Sequence, residues 1–458
     1  MLAFLNQFVF GPVLPFFLMG CGLFFFVRLD GFLSPLHAFF AKRKSRKKEP
    51  LGDSPFRRAM LSLAGTLGVG NITGVATAIA MGGEGAVFWM WIAALASMPL
   101  RFAEITLSVR FRDPSGKPGP FGYLKNGIGR RFRPGTGKTC AVLLALVCLA
   151  ASFSVGNWVQ CHAAAEAMEG VFSFPPLLTG ILLAFLTLLC LSGGSKRVGD
   201  MAQRLIPPLS VGYLILSLTL IVSKRALIPS VLSDIFHSAF SPRAAFGGSI
   251  GGLLRALLSS PALRYGTARG SLSHEAGCGT APFAHGDSVL PPAVEGLWGL
   301  LEVFADTMVL CTMTAFALLL SPAGGEGTMA VIESFRAGLG TLGNAAACFL
   351  AGAVFCFAIA SVICWGHYGT LCLSYLGFGQ KGLKGYGVLF GCACIAGAMS
   401  APSLIWGLSD ASISLMTFLN TSCLCLLWRE VKAELRTENE KKEKKVAKQK
   451  KICYNNGK

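Results

Sequence analysis

The sequence predicts an all-α, polytopic membrane protein with eleven transmembrane helices. Three observations carry that expectation. Hydrophobic residues form 53% of the chain and charged residues only 14%, against roughly 25% charged in a soluble domain. Apolar runs of about 20 residues, the length that crosses a ~30 Å hydrocarbon layer, recur from end to end. Lys and Arg gather on one side of those runs, as the positive-inside rule requires.

Taken in order, the first run spans 3 to 28. No Lys or Arg precedes it and RKSRKK follows it, so it is expected to persist as a helix with its N-terminus outside, not to be removed as a signal peptide. The second run, 59 to 81, is the unusual one: GTLGVGNITGVATAIAMGG, 65 to 83, holds six glycines, one asparagine and three threonines. Runs at 85 to 109, 139 to 161, 174 to 192 and 205 to 223 are plainly apolar. The seventh, 244 to 263, continues into GGSIGGLLRALLSSPALRYGTARG, 247 to 270, which is again rich in glycine. Runs at 293 to 320, 344 to 370, 385 to 401 and 403 to 428 complete the set.

If the first run passes from outside to inside, the loops at 41 to 58, 110 to 138, 193 to 204, 264 to 290 and 371 to 384, with the tail from 429, carry 34 of the 41 Lys and Arg. The opposite side carries four: Lys224, Arg225, Arg243 and Arg336. The formal charge of +18 is therefore a topological signal, and no nucleic-acid partner is expected. The tail KKEKKVAKQKK either binds anionic lipid or a partner, or is simply solvated; no function is assigned to it. The 16 cysteines fall mostly inside apolar runs without metal-ligand spacing and are expected to be free core residues. Residues 1–58 form an extra N-terminal transmembrane helix and a basic cytoplasmic loop. Residues 59–428 form the core, and 429–458 a basic cytoplasmic tail.

Set the first run aside, and the two glycine-interrupted runs open two groups of five, about 59–223 and 244–428. Five is odd, so consecutive groups enter the membrane from opposite sides, the condition for an inverted-topology repeat with a central binding site. In hydrocarbon an unpaired peptide group costs several kcal/mol, so unwound backbone survives only where protein, water or a ligand satisfies it. A break exposes N–H groups suited to a carboxylate on one side and carbonyls suited to Na⁺ or an ammonium group on the other. Asn71, Thr73 and Thr77 add neutral oxygens. The same Gly70 to Gly74 spacing also serves close helix packing, and both readings stand.

These residues, with three other stretches, resemble the alanine or glycine:cation symporter family (sodium:alanine symporters) over nearly the whole chain from about residue 50 to 428. The blocks are GVGNITGVATAIAMGGEGAVFWMW from 68, GTARGSLSHEAGCGTAPFAHG from 266, FAIASVICWGHYG from 357 and IWGLSDASISLM from 405. The resemblance implies the leucine-transporter-like 5+5 inverted repeat with one extra N-terminal helix. It implies cation-coupled symport, by Na⁺ or in some members H⁺, of a small neutral amino acid such as alanine or glycine. The setting would be a bacterial cytoplasmic (inner) membrane, with the N-terminus outside and the C-terminus cytoplasmic. No cofactor is expected besides Na⁺ as a co-transported ion, and the oligomeric state is open.

Carried over, the family's substrate pocket falls on Gly70, Asn71, Gly74, Thr77, Leu272, Ser361 and Trp365, joined by Phe153. The Na⁺ site falls on backbone carbonyls near Val69, Asn71 and Ile72 with the Ser361 hydroxyl. Ser361 and Trp365 are four apart and share a helical face. Leu272 stands where the family usually has Phe, which removes an aromatic lid and leaves room for a somewhat larger neutral amino acid. Glu84 replaces a common Pro, and Ile413 an Asn. His274 and His367 either tune coupling to pH or make ordinary hydrogen bonds.

Charges at membrane depth are costly and so are paired or functional. Arg101 and Glu104, three apart, are expected to pair. Glu302 and Asp306, four apart on one face, either hold a proton or Na⁺ or are neutralised by Arg269 or Arg255; Asp410 reads as a polar anchor. Two rival classes fare worse. An ion channel would show a repeated filter, and HEAG at 274 to 277 lacks the second His of a zinc hydrolase, so no enzyme is expected.

Overall fold

A computed structural model describes residues 11–29, 55–112, 118–240, 260–438 and 440. Among them every regular element is helical. In chain order the helices are α1 (Gly11–Arg28), α2 (Pro55–Thr66), α3 (Thr73–Gly82), α4 (Ala86–Arg110), α5 (Pro134–Phe153), α6 (Val159–Phe172), α7 (Pro176–Leu191), α8 (Gly194–Ser223) and α9 (Ile228–Ala239). There follow α10 (Pro261–His274), α11 (Ala281–His285), α12 (Pro292–Val303), α13 (Thr312–Leu320), α14 (Gly327–Gly338), α15 (Gly343–Tyr375), α16 (Gln380–Met399), α17 (Pro402–Leu426) and α18 (Trp428–Glu438). Proline opens α5, α7, α10, α12 and α17, where its missing N–H would be unpaired anyway.

Among the described residues six helical stretches are long and apolar enough to cross a membrane: Ala86–Arg110, Pro134–Phe172, Gly194–Ser223, Pro292–Leu320, Gly340–Tyr375 and Gln380–Met399. Two further stretches qualify only as bent pairs, α2 with the segment Val69–Gly82, turned by 62°, and α17 with α18, turned by 58°. Val13–Arg28 and Pro176–Leu191 are apolar but shorter. The first group of five elements is α2/α3, α4, α5/α6, α7 and α8; the second is α10/α11, α12/α13, α15, α16 and α17. Helices α9 and α14 connect spans and had no counterpart in the sequence reading.

One expectation needs correction. The sequence places the seventh run at 244 to 263 and a glycine-rich interruption in and after it, at 247 to 270. Residues 244 to 259 lie outside those described, but α10 runs from Pro261 to His274 and its interruption is 275 to 280. Residues 264 to 285 of the stretch expected as a loop instead belong to the second broken helix, α10 and α11 with the interruption between them. Arg264 and Arg269 therefore leave the loop tally: Arg269 grips Asp410 with both guanidinium nitrogens, at 2.5 and 3.1 Å, and stacks on Trp406. Hydropathy misses this helix because its charge is neutralised by a partner remote in sequence.

Small residues bring the core helices together. Gly266 of α10 lies against the Ala86 carbonyl of α4, and Gly22 of α1 against Ala96 of the same helix; close backbone approach of this kind is how membrane helices associate without a hydrophobic driving force. Helix α4 is thus gripped from both sides and buries Arg101 and Glu104 at its middle. Among the described residues all cysteines are free, as expected.

Candidate functional site

The first break is narrower than the glycine-rich stretch that predicts it. Helix α2 stops at Thr66, a single 3₁₀ turn occupies Val69–Asn71, and α3 resumes at Thr73. The backbone groups released there are met by side chains from other helices. Val69 N–H donates to Gln160 Oε1 of α6 at 3.1 Å, and the Asn71 carbonyl accepts from Thr314 Oγ1 of α13 at 2.8 Å. The Ser361 hydroxyl of α15 donates to the Ala64 carbonyl at 2.9 Å. Gly68 is required by space: a Cβ there would fall 2.5 Å from Gln160 Oε1 and 2.6 Å from Ser361 Oγ.

The second break turns on left-handed backbone, with φ of 50° at Glu275, 86° at Gly277 and 91° at Gly279. Glycine carries such angles without strain; Glu275 does not. Both breaks converge on Asp306. Asn71 Nδ2 donates to Asp306 Oδ1 at 2.8 Å, and the hydroxyls of Ser273 and Thr307 donate to Oδ2 at 2.5 and 2.9 Å. Asn71 Oδ1 is buried without a hydrogen-bond partner. Beside it lies a cavity of about 10 Å³ lined by Leu67, Gly68, Asn71, Ile72, Tyr213, Leu310 and Phe357. That is near the volume one water needs and far below that of an amino acid.

The carried-over residues divide into two sets. Gly70, Asn71, Leu272, Ser361 and Trp365 come together: Gly70 faces Ser273 Cα and the Leu272 carbonyl, and Trp365 Nε1 donates to Glu275 Oε1 at 3.2 Å. One face of α15 thereby reaches both breaks, Ser361 the first and Trp365 the second. Val69 and Ile72 flank Asn71 on the 3₁₀ turn. Gly74 sits one turn on with open space where a Cβ would go, while Thr77 bonds the Thr73 carbonyl within its own helix. Phe153 is not brought to the break. Its ring meets Tyr386 and Phe390 of α16 edge-on and borders a groove of about 390 Å³ with Trp158, Leu408 and Leu415. The reason is a π-helical turn, Ser154–Trp158, which re-aims the helix so that Gly156 faces Trp365 and Gln160 faces Val69.

A scan against family models matches the description "Sodium:alanine symporter family" over residues 1–452. The chain belongs to the sodium:alanine symporter family. It is 34% identical to the sodium/alanine symporter AgcS of Methanococcus maripaludis, over 95% of this chain and 96% of that one. It is 32% identical to a Bacillus subtilis protein named "Probable sodium/glutamine symporter GlnT", over 84% of this chain and 78% of that one. Among solved structures, MhsT in complex with L-phenylalanine superposes with a TM-score of 0.52 at 18% identity, covering 83% of this chain and 89% of that one. That likeness shows the leucine-transporter-like fold. The chain is a multi-pass membrane transporter for cation-coupled amino-acid symport, not an enzyme.

The symporter also buries a charge network that its sequence showed only in part. Arg101 and Glu104 do approach, at 3.7 Å, but Arg101 reaches further, to Ser62 at 2.9 Å, Thr280 at 3.2 Å and Glu302 at 3.5 Å. Glu104 accepts from Asn420 at 2.8 Å and from the Gly279 N–H. Of the two arginines expected to neutralise Glu302 and Asp306, Arg269 pairs with Asp410 and Arg255 lies outside the described residues. Glu302, near the end of α12, joins Ser62, Arg101 and His285, while Asp306, in the π-helical segment Phe304–Cys311, joins Asn71 and Ser273. His274 and His367 make ordinary hydrogen bonds, to Ala276 N–H at 3.0 Å and Ser195 Oγ at 3.1 Å. Outside the spans, partial burial ahead of the nearby Asp234 charge raises the Glu84 carboxyl above its usual range. Gln160 and Ser273 have no counterpart among the expected site residues, and Asp306 is expected only as a charge at membrane depth; the signal for all three is polarity inside otherwise apolar runs.

Proposed function

We propose that this symporter couples Na⁺ to the uptake of a small neutral amino acid such as alanine or glycine across a cytoplasmic membrane. It would cross that membrane eleven times, with the N-terminus outside and the C-terminus in the cytoplasm. The observation that carries the reading is the meeting of two interrupted helices under one face of α15, with Ser361 bonded to a carbonyl of the first. Carbonyl and hydroxyl oxygens are what a hard monovalent cation prefers. Na⁺ takes the Ser361 hydroxyl and carbonyls near Val69, Asn71 and Ile72. The amino acid lies against Gly70, Asn71, Gly74, Leu272 and Trp365. Because both ligands complete the same unwound backbone, each stabilises the arrangement that the other needs.

Reconstituted vesicles are expected to accumulate labelled alanine or glycine only under an inward Na⁺ gradient; uptake indifferent to that gradient rules the coupling out. In the same assay Ser361→Ala removes one charge-assisted contact, of about 1.5 kcal/mol or more, and raises the Na⁺ needed for half-maximal uptake roughly tenfold.

A second reading, a somewhat larger neutral amino acid, is favoured by one observation. Leu272 is buried beside the first break, at the position where the family resemblance implies a Phe. Leu272→Phe is expected to narrow a competition panel toward glycine and alanine, with Na⁺ dependence retained. A panel unchanged by the substitution removes Leu272 from the pocket.

A further inference from the structure

His285 closes α11, the lower half of the second broken helix, and takes no part in the site described above. Its ring stands between two carboxylates of α12. Nδ1 lies 2.7 Å from Glu295 Oε1, and Nε2 lies 2.8 Å from Glu302 Oε1. A neutral imidazole offers one N–H and one bare nitrogen. A bare nitrogen held against a carboxylate oxygen at that distance sets lone pair against lone pair. Both contacts are attractive together only if one more proton is present, on the second ring nitrogen or on a facing carboxyl oxygen.

We infer that His285, Glu295 and Glu302 form a proton-binding site which, while loaded, clamps the second broken helix to α12. Its other neighbours donate and do not supply that proton's place. Arg58 of α2 gives Glu295 two hydrogen bonds, at 2.8 and 3.1 Å, and Ser288 gives a third at 2.8 Å. Ser62 of α2 donates to Glu302 at 2.7 Å, and Arg101 of α4 approaches it at 3.5 Å. The surrounding charges are thus Arg58 and Arg101 against Glu104, Glu275, Glu295 and Glu302, with Asp287 exposed on the adjoining loop. With two guanidinium groups among four carboxyl groups, the surroundings carry no net positive charge to oppose an added proton.

The same contacts place the clamp mechanically. Through Arg58 and Ser62 it holds the first half of one broken helix, and through His285 the second half of the other, both onto α12. His285 and Glu295 are fully buried, and Glu302 nearly so. The proton therefore comes from solvent water, and returns to it, only when α11 and α12 part. Deprotonation turns the bracket repulsive and favours that parting, so proton occupancy and opening at this end of the molecule are linked.

The test is spectroscopic, on the full chain in lipid, with ¹⁵N-labelled histidine and infrared detection of protonated carboxyl groups. Loss of signal in His285→Gln assigns the ring among the six histidines. At neutral pH the native protein is expected to show either a doubly protonated His285 ring or a protonated-carboxyl band that vanishes in Glu302→Gln or Glu295→Gln. Glu302→Gln, which removes one counter-charge, is expected to weaken proton binding at the ring roughly tenfold or more. A ring with one bare nitrogen and no protonated carboxyl group in the native protein overturns the site. So does a ring titration that neither substitution moves. The native spectrum decides by itself should both variants fail to fold, and neither readout depends on which amino acid is carried.

Discussion

Replacing Arg101 with leucine is expected to remove about 3–5 kcal/mol of stability, the usual result of stripping one partner from a buried ionic network. Arg101 is 1% exposed, pairs with the carboxylates of Glu104 and Glu302 and reaches the Glu275 main-chain carbonyl. Glu302 would keep Ser62 and His285, and Glu104 would keep Asn420 and the Gly279 N–H, but their charges would have lost their shared cation. Most of the loss is the penalty of leaving carboxylates buried without that cation. Arg101→Lys should recover only part of it. A single ammonium group cannot span Ser62, Thr280 and Glu302 as the planar guanidinium does. Thermal melting of the purified variants in detergent measures both; a leucine variant that melts with the parent would show the network to be ornamental.

Gly68→Ala is expected to cost more in transport than in folding. The added methyl group would meet Gln160 Oε1 and Ser361 Oγ at 2.5 and 2.6 Å, so one of the two must withdraw. If Gln160 moves, Val69 N–H loses its acceptor; if Ser361 moves, the Ala64 carbonyl loses its donor. Overpacking of this kind typically costs 1–3 kcal/mol, which, falling on the geometry of the break, corresponds to roughly a tenfold or greater drop in Na⁺-driven uptake. The variant should still be recovered as folded protein. Uptake at the parental rate would mean that the break tolerates a side chain and that its closeness to α15 is incidental.

These two residues also mark how far the sequence could be read. Gly68 belongs to a run whose glycines and lone asparagine contradict a simple span, and the contradiction itself located the first break. Arg101 was visible as a charge at membrane depth with an acidic neighbour three residues on. Its other partners, on α2, α12 and the second break, were not visible, because they lie from 39 to 201 residues away. Ser361 and Trp365 were legible as one helical face, and that face does reach both breaks. Phe153 adjoins the π-helical turn Ser154–Trp158, and one extra residue per turn shifts the residues beyond it off the 3.6-residue period. The partners of Glu302 and Asp306 lie on other helices, where no local pattern points to them.

By itself the amino-acid sequence determined that this chain is a helical membrane carrier. Apolar length, the placement of Lys and Arg, and glycine where helix is otherwise compulsory are each properties of short segments that need no folded neighbour to be read. The tertiary structure alone decided where the second helix breaks, because α10 enters the core with an arginine that only Asp410 makes tolerable. It alone decided which polar groups complete the unwound backbone and which carboxylates gather around His285. Those outcomes depend on helices meeting across the whole chain, and in a low-dielectric interior a charge is acceptable only once its partner has arrived.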